Sequence, residues 1–535
     1  MNSGASDSRR GVGLRPGVAL LMATALLVPA CGGIDQEADP PLEPFDLREA
    51  TIARIHAAFA RGEFSCVELI TGYLARIDAY DKQGPELNAI ITVNSRALDV
   101  AAELDRRYAA DPEATGPLHC IPGIVKDNFD TADLPTTGAS VTLAESYPPD
   151  DAFTVRRLRE AGAIVLAKSN LTELALGGTT LSSLGGQTRN PYDLSRTPGG
   201  SSGGTGAALA AGFGVLGTGS DTGQSIRSPA SAQSLVGLRP TRGLVSRDGV
   251  IPNSSTQDEA GPITRTVEDA ARMLDVIAGY DPADPITAFG VRQIPASYTE
   301  TLDANGLEGA RIGVVMDLFG RETIHEDVNT ATESALAQME TAGATILRVR
   351  IPDFDEVVSD VAVANFESKS VFNRYLADLG PEAPVRSLEE FIRRGGFHPS
   401  IRQSLEATAA VEDGLNDPEY QRRLLRRETL RQTLMTLIAD NDLDALVYPH
   451  QRRLVATIGE PQLERNGVLS NATGFPAITI PGGFSPPTGS APLGVPVGIE
   501  LLGPDWSEPT LLKLAFAFEQ TAQVRKPPAA TPPLE

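Results

Sequence analysis

Residues 197–228 read TPGGSSGGTGAALAAGFGVLGTGSDTGQSIRS, two glycine-rich serine clusters on either side of one short apolar stretch. Glycine opens backbone conformations closed to other residues and lets a ligand approach main-chain N–H groups. A serine in such a turn becomes a nucleophile when a base and oxyanion donors stand nearby. Ser225, in a tight turn behind an apolar strand, is the candidate nucleophile. Ser201 and its neighbour Ser202 are both candidates for a second hydroxyl, and the residues alone do not separate them. Upstream, HCIPGIVKDNFD (119–130) places Lys126 just behind an apolar Pro-Gly segment. The chain has six lysines against forty arginines, so a lysine in that setting stands out. To act as a base it must be neutral, and burial can bring an amine from its ordinary ~10.4 down to ~7–8.

Outward from this stretch, helical and strand patterns alternate. LREATIARIHAAFARG (47–62) and VELITGYLARIDAYD (67–81) carry apolar residues every three or four positions. FTVRRLREAGAIVLAK (153–168) reads as a helix, a glycine turn and an apolar strand. SSGGTGAALAAG (201–212) reads as a small-residue helix packed closely on a sheet, residues 264–279 as a helix and ARIGVVM (310–316) as a strand. Such alternation predicts an α/β fold with helices on both faces of the sheet. Residues 325–440 read as a largely helical, charged region that shapes substrate access, and 526–535 as a disordered tail.

The 535 residues are 41% hydrophobic and 21% charged, ordinary for a globular protein, and the net charge of −23 argues against nucleic-acid binding. Five histidines, no C-x-x-C and no H-E-x-x-H argue against a metal, and no Walker loop is present, so no cofactor is expected. Arg9, Arg10 and Arg15 precede the apolar run GVALLMATALLVPA (17–30). At 14 residues that run is too short for ~30 Å of hydrocarbon but right for a signal peptide over residues 1–30. Val28-Pro29-Ala30-Cys31 looks like a lipobox, so the expectation is export, lipidation of Cys31 and an acidic, proline-rich tether over 31–45. Cys66 and Cys120 are read as two buried thiols rather than a disulfide.

The lysine motif PGIVKDN (122–128), the cluster GGSSGG (199–204) and GTGSDTGQSIRSP (217–229) resemble, in order and spacing, the amidase signature family of Ser-cisSer-Lys hydrolases. Ser201 and Ser225 lie 24 residues apart, the family's interval. AIVLAKSNLTEL (163–174), GLRPTRGLVSRDGVIP (237–252), NATGFPAITIPGGF (471–484) and PVGIELLGP (496–504) extend the match. The resemblance implies one large domain over 46–525 with a central mixed sheet covered by helices. It assigns Ser225 as nucleophile, Ser201, after a cis peptide bond, as the bridging serine, Lys126 as base and Ser202 as support. Main-chain N–H groups of Thr222, Gly223, Gln224 and Ser225 would form the oxyanion hole. Gln224 and Cys120 stand where the family pattern usually has glycine. Asp221 and Arg227 are read as a structural ion pair, and Asp127 and Lys168 as structural.

The string GGSSG also satisfies G-x-S-x-G, which would make His325, His398 or His450 the base. That motif should follow an apolar strand directly, whereas RNPYDLSRTP (189–198) precedes it here. The function expected is an exported amidase that hydrolyses a small-molecule carboxamide, or an ester in its place, through an acyl-serine. Nucleic acid is excluded as a partner, the membrane is met only through Cys31, and the sequence does not fix an oligomeric state. Two other readings are a glutaminase subunit of an amidotransferase and a non-catalytic envelope binding protein on the same scaffold.

Overall fold

The computed structural model describes residues 45–534; the signal-type segment, Cys31 and the tether up to residue 44 lie outside the described residues. Thirteen strands are described: β1 Ile90–Val93, β2 Pro122–Lys126, β3 Ile164–Ser169, β4 Leu181–Ser182, β5 Gly186–Gln187, β6 Leu216–Asp221, β7 Val236–Arg239, β8 Glu259–Thr264, β9 Arg311–Val315, β10 Thr345–Val349, β11 Ala445–Pro449, β12 Ala477–Phe484 and β13 Pro496–Leu502. Eleven of them form one sheet in the order β1-β3-β2-β6-β8-β7-β12-β13-β11-β9-β10, and β4 and β5 pair as a small hairpin. The β3-β2-β6 and β11-β9-β10 runs are parallel and the pairs between them antiparallel, so the sheet is mixed as expected.

Strands β2 and β3 are buried at every position, which is why PGIVK and IVLAKS read as continuous apolar runs. Their polar residues, Lys126, Lys168 and Ser169, sit at the C-terminal ends, where a sheet of this class presents its chemistry. The helix Gly203–Ala210 is also buried throughout. Its small residues are required by contact: a Cβ on Gly204 would meet Asn170 O at 2.2 Å. This close approach holds Ser201 and Ser202, just before the helix, beside the ends of β2 and β6.

The region 325–440 holds the helices Glu326–Thr341, Ala364–Asp378, Leu388–Arg394, Arg402–Ala409 and Pro418–Asp440, but also the edge strand β10. Phe372, Phe391 and Leu405 from these helices, with Phe397 from a loop between two of them, pack on Leu143, Leu174 and Ile251, so this region covers loops of the signature region.

Two expectations are corrected. Cys66 and Cys120 form a disulfide, with Cα atoms 5.7 Å apart. Both cysteines are buried, as expected of thiols, but the start of the helix Cys66–Tyr80 packs on the loop entering β2 and brings them together. Cys120 has φ 62°, a left-handed conformation that explains why glycine suits this position. The tail is the second correction. Arg76, 2% exposed, has no carboxylate partner among the described residues and donates to Ala211 O, Gly212 O, Thr531 O and Pro532 O. Tyr192 OH donates to Lys526 O at 2.6 Å, so the proline-rich segment is tied down by its carbonyls.

Candidate active site

Lys126 ends β2 and is wholly buried. Its Nζ lies 2.8 Å from Ser201 Oγ, 2.7 Å from Ser220 Oγ and 3.2 Å from Ser220 O. Asn128 Nδ2 also donates to Ser220 Oγ, at 3.0 Å. Among the described residues no carboxylate pairs with the amine. Burial lowers its pKa to about 7, with the more distant Asp221 and Asp258 only partly opposing that shift. Lys168 and Asp127, by contrast, are bound into structure. Lys168 Nζ donates to Phe129 O, Thr131 Oγ1, Pro135 O and Thr136 Oγ1 and pairs with Asp127, pinning the loop behind Lys126.

The peptide bond Gly200–Ser201 is cis. Ser201 Oγ faces Lys126, whereas Ser202 points elsewhere, its Oγ 3.4 Å from Ser220 O. The two neighbouring serines that the residues alone left equivalent are thereby separated. The clusters meet through the main chain, since Ser202 N–H donates to Ser225 O at 3.2 Å. Among the described residues, no hydrogen bond joins Ser225 Oγ to Ser201 Oγ.

The segment after β6 is held by its carbonyls. Every carbonyl from 221 to 225 is occupied: Arg239 donates to Asp221 O, Gln257 Nε2 to Thr222 O and Ser228 N–H to Gln224 O. Gly223 O accepts from Arg227 Nη2 at 2.6 Å and Asn471 Nδ2 at 3.2 Å, and Ser225 O accepts from Ser202. The N–H groups of Thr222, Gly223, Gln224 and Ser225 have no intramolecular acceptor among the described residues. Fixed peptide planes with unused donors are what a developing oxyanion needs, because nothing has to reorganise when the charge appears. The Gln224 side chain, its amide oxygen turned to Arg465, accepts from that guanidinium's Nε at 2.7 Å. Arg465 also lies against Gly178, where a Cβ would meet Nη1 at 2.2 Å.

Beneath this loop lies a buried charge network. Arg227 bonds Asp221 at 3.1 Å and Glu500 at 2.6 Å, and Arg239 bonds Asp221 at 3.0 Å. Tyr448 OH donates to Glu500 Oε1, and His450 Nδ1 lies 2.7 Å from Glu500 Oε2. Burial alone would raise the Asp221 carboxyl, but the two guanidiniums outweigh it and hold it far below the usual range. Asp221 also accepts from Ile226 N–H at 3.1 Å, which fixes the turn carrying Ser225. The Asp221–Arg227 pair read from sequence is present. Arg239, Glu500, His450 and Tyr448 were not foreseen, although a lone glutamate inside the apolar PVGIELL was a usable signal. Among the described residues, none of His325, His398 and His450 bonds a serine of the two clusters. They face Glu464, Ser400 and Glu500 instead.

A hydrolase with a buried lysine, rather than a histidine, beside its serines is the class that this fold and site define. The family model Amidase matches residues 68–512, and the chain belongs to that family of carbon–nitrogen hydrolases. A glutamyl-tRNA(Gln) amidotransferase component from Alkaliphilus metalliredigens is 35% identical over 497 residues, covering 90% of this chain and 98% of that protein. A probable amidase of Arabidopsis thaliana is 36% identical, covering 90% and 92%. The X-ray structure of native peptide amidase from Stenotrophomonas maltophilia superposes with a TM-score of 0.80 at 37% identity, covering 90% and 98%.

Proposed function

We propose that this chain is an exported, lipid-anchored amidase working through Ser225, Ser201 and Lys126. The observation that carries the reading is the buried Lys126 amine, bonded to Ser201 and, among the described residues, free of any carboxylate partner. Deprotonated, that amine has one lone pair, which takes the Ser201 proton as Ser201 takes the proton of Ser225. Ser225 Oγ then bonds the carbonyl carbon, and the oxyanion falls to the N–H groups of Thr222–Ser225. When the C–N bond breaks, the proton returns through Ser201 to the departing nitrogen, which leaves as amine or ammonia. Water hydrolyses the acyl-serine by the same route. The missing Ser201–Ser225 hydrogen bond is expected to form as substrate binds, since catalytic bonds often tighten only in the complex.

Export draws support from the N-terminal pattern and from the Cys66–Cys120 disulfide, since such bonds persist in oxidising compartments. No helix among the described residues is long and apolar enough to cross a membrane. Mass spectrometry of the mature N-terminus should find a diacylated Cys31, and an intact Met1 overturns this part of the reading. A glutaminase component of an amidotransferase is the second reading, favoured by the names of curated relatives. Labelling with a fluorophosphonate, followed by peptide mapping, should place the adduct on Ser225 of the chain alone. Ser225→Ala should fold and remain unlabelled, and normal turnover by that variant overturns the mechanism. Glutamine hydrolysis that needs a co-purified partner would favour the second reading.

A further inference from the structure

A cavity of about 200 Å³ adjoins the site, lined in part by Ser220, Thr222 and Tyr375. Ser220 Oγ is the hydroxyl held by Lys126, so the cavity reaches the end of the site where protons move. Glu259 also lines it, at the start of β8 and paired in register with Asp221. This carboxyl is 1% exposed, and neither of its oxygens has a hydrogen-bond partner among the described residues. Buried polar groups are ordinarily satisfied, so an orphaned carboxyl on a cavity wall points to a missing donor.

Most of the surrounding charged atoms are committed elsewhere. Arg247 forks onto Asp284 at 2.8 and 2.7 Å and donates to Ser255 O. Asp258 accepts from Thr222 Oγ1, Asn253 N–H and Ser254 N–H. Arg239 Nη1 and Nη2 go to Asp221 and Gln257 O, while its Nε, like that of Arg242, has no partner among the described residues. With Arg247 and Asp284 cancelling, the lining keeps the carboxyls of Asp248, Asp258, Glu259 and Asp378 against the single guanidinium of Arg374. Burial is the main reason the Glu259 carboxyl is raised to about 7, and the arginines around it only partly offset this.

We propose that this cavity is a subsite for a positively charged substituent of the substrate, an alkylammonium or guanidinium group, with Glu259 as its counter-ion. The proposal rests on the hydrolase reading above and deepens it: the preferred amide carries a cation within a few bonds of the scissile group. Lys126, uncharged while it acts as base, does not repel such a group. Asp248 and Asp378 add attraction along the same cavity.

Calorimetric titration of the Ser225→Ala protein with n-butylammonium and with n-butanol, its neutral counterpart, tests this without any turnover. The ammonium should bind at least tenfold tighter. Glu259→Gln in that background should weaken the ammonium at least fivefold and leave butanol unchanged. If that variant does not fold, Asp248→Asn with Asp378→Asn should weaken the ammonium at least twofold. Equal affinities for the two probes, or ammonium binding indifferent to these substitutions, overturns the proposal. Failure of the hydrolase reading would show separately, as absence of fluorophosphonate labelling at Ser225 in the parent protein.

Discussion

Replacing Lys126 by methionine keeps most of the apolar stem of the side chain and removes the titrating amine. The folded amine gives up its proton near pH 7, whereas in the unfolded chain it holds it up to about 10.5. Between those values the unfolded chain binds one more proton, so stability rises with pH and falls as pH drops towards 7. At ~1.36 kcal/mol per unit, this amine costs the folded parent roughly 4 kcal/mol at pH 7 and roughly 2 kcal/mol at pH 9. Methionine removes that cost and also three polar contacts, to Ser201 Oγ, Ser220 Oγ and Ser220 O. At about 1 kcal/mol each, these nearly offset the gain at neutral pH. The variant should therefore be slightly more stable than the parent at pH 7. By pH 9 that advantage should turn into a deficit of about 1 kcal/mol, a change of about 2 kcal/mol. Urea unfolding of the oxidised proteins at both pH values measures the difference. Activity should be lost in Lys126→Met, while in the parent kcat should climb through about pH 7 as the amine deprotonates. A stability gap that does not move with pH, or parental turnover by the variant, refutes the reasoning.

Arg227→Met leaves Asp221 with Arg239 alone and Glu500 with His450 and Tyr448, and should destabilise by about 3–5 kcal/mol in denaturant unfolding. Because Arg227 also holds Gly223 O, kcat should fall in any fraction that stays folded. Joint replacement of Cys66 and Cys120 by serine should lower unfolding free energy by up to about 4 kcal/mol, since the bridge closes a loop spanning 54 positions. An unchanged urea midpoint would count against the bridge. Gly204→Ala puts a methyl group 2.2 Å from Asn170 O and should cost about 1–3 kcal/mol with reduced labelling of Ser225, because Ser201 and Ser202 precede that helix.

What the sequence disclosed and what it hid divide along a physical line. Strands β2 and β3 and the small-residue helix were legible because burial on all sides writes itself as unbroken apolar or glycine-alanine runs. Lys126 was legible for the same reason, as a charge at the end of such a run. The features that were missed depend on acceptors or partners distant in the chain. Cys66 and Cys120 read as separate thiols because nothing local shows that a helix start and a strand entry share one spot. The tail read as disordered because its prolines conceal that its carbonyls satisfy Arg76, more than 450 residues earlier. The loop after β6 follows the same rule in part. GSDTGQS shows a tight turn, but not which of its main-chain groups remain free. That depends on Arg239, Gln257 and Asn471 binding its carbonyls from three other parts of the chain, with Arg227 and Ser228 adding bonds from just downstream. The free donors thus arise by subtraction: donors near and far in the chain engage the carbonyls, and the N–H groups are what is left over. On this argument Gln224 can stand where glycine is usual, because its peptide is held through Ser228 and its side chain through Arg465.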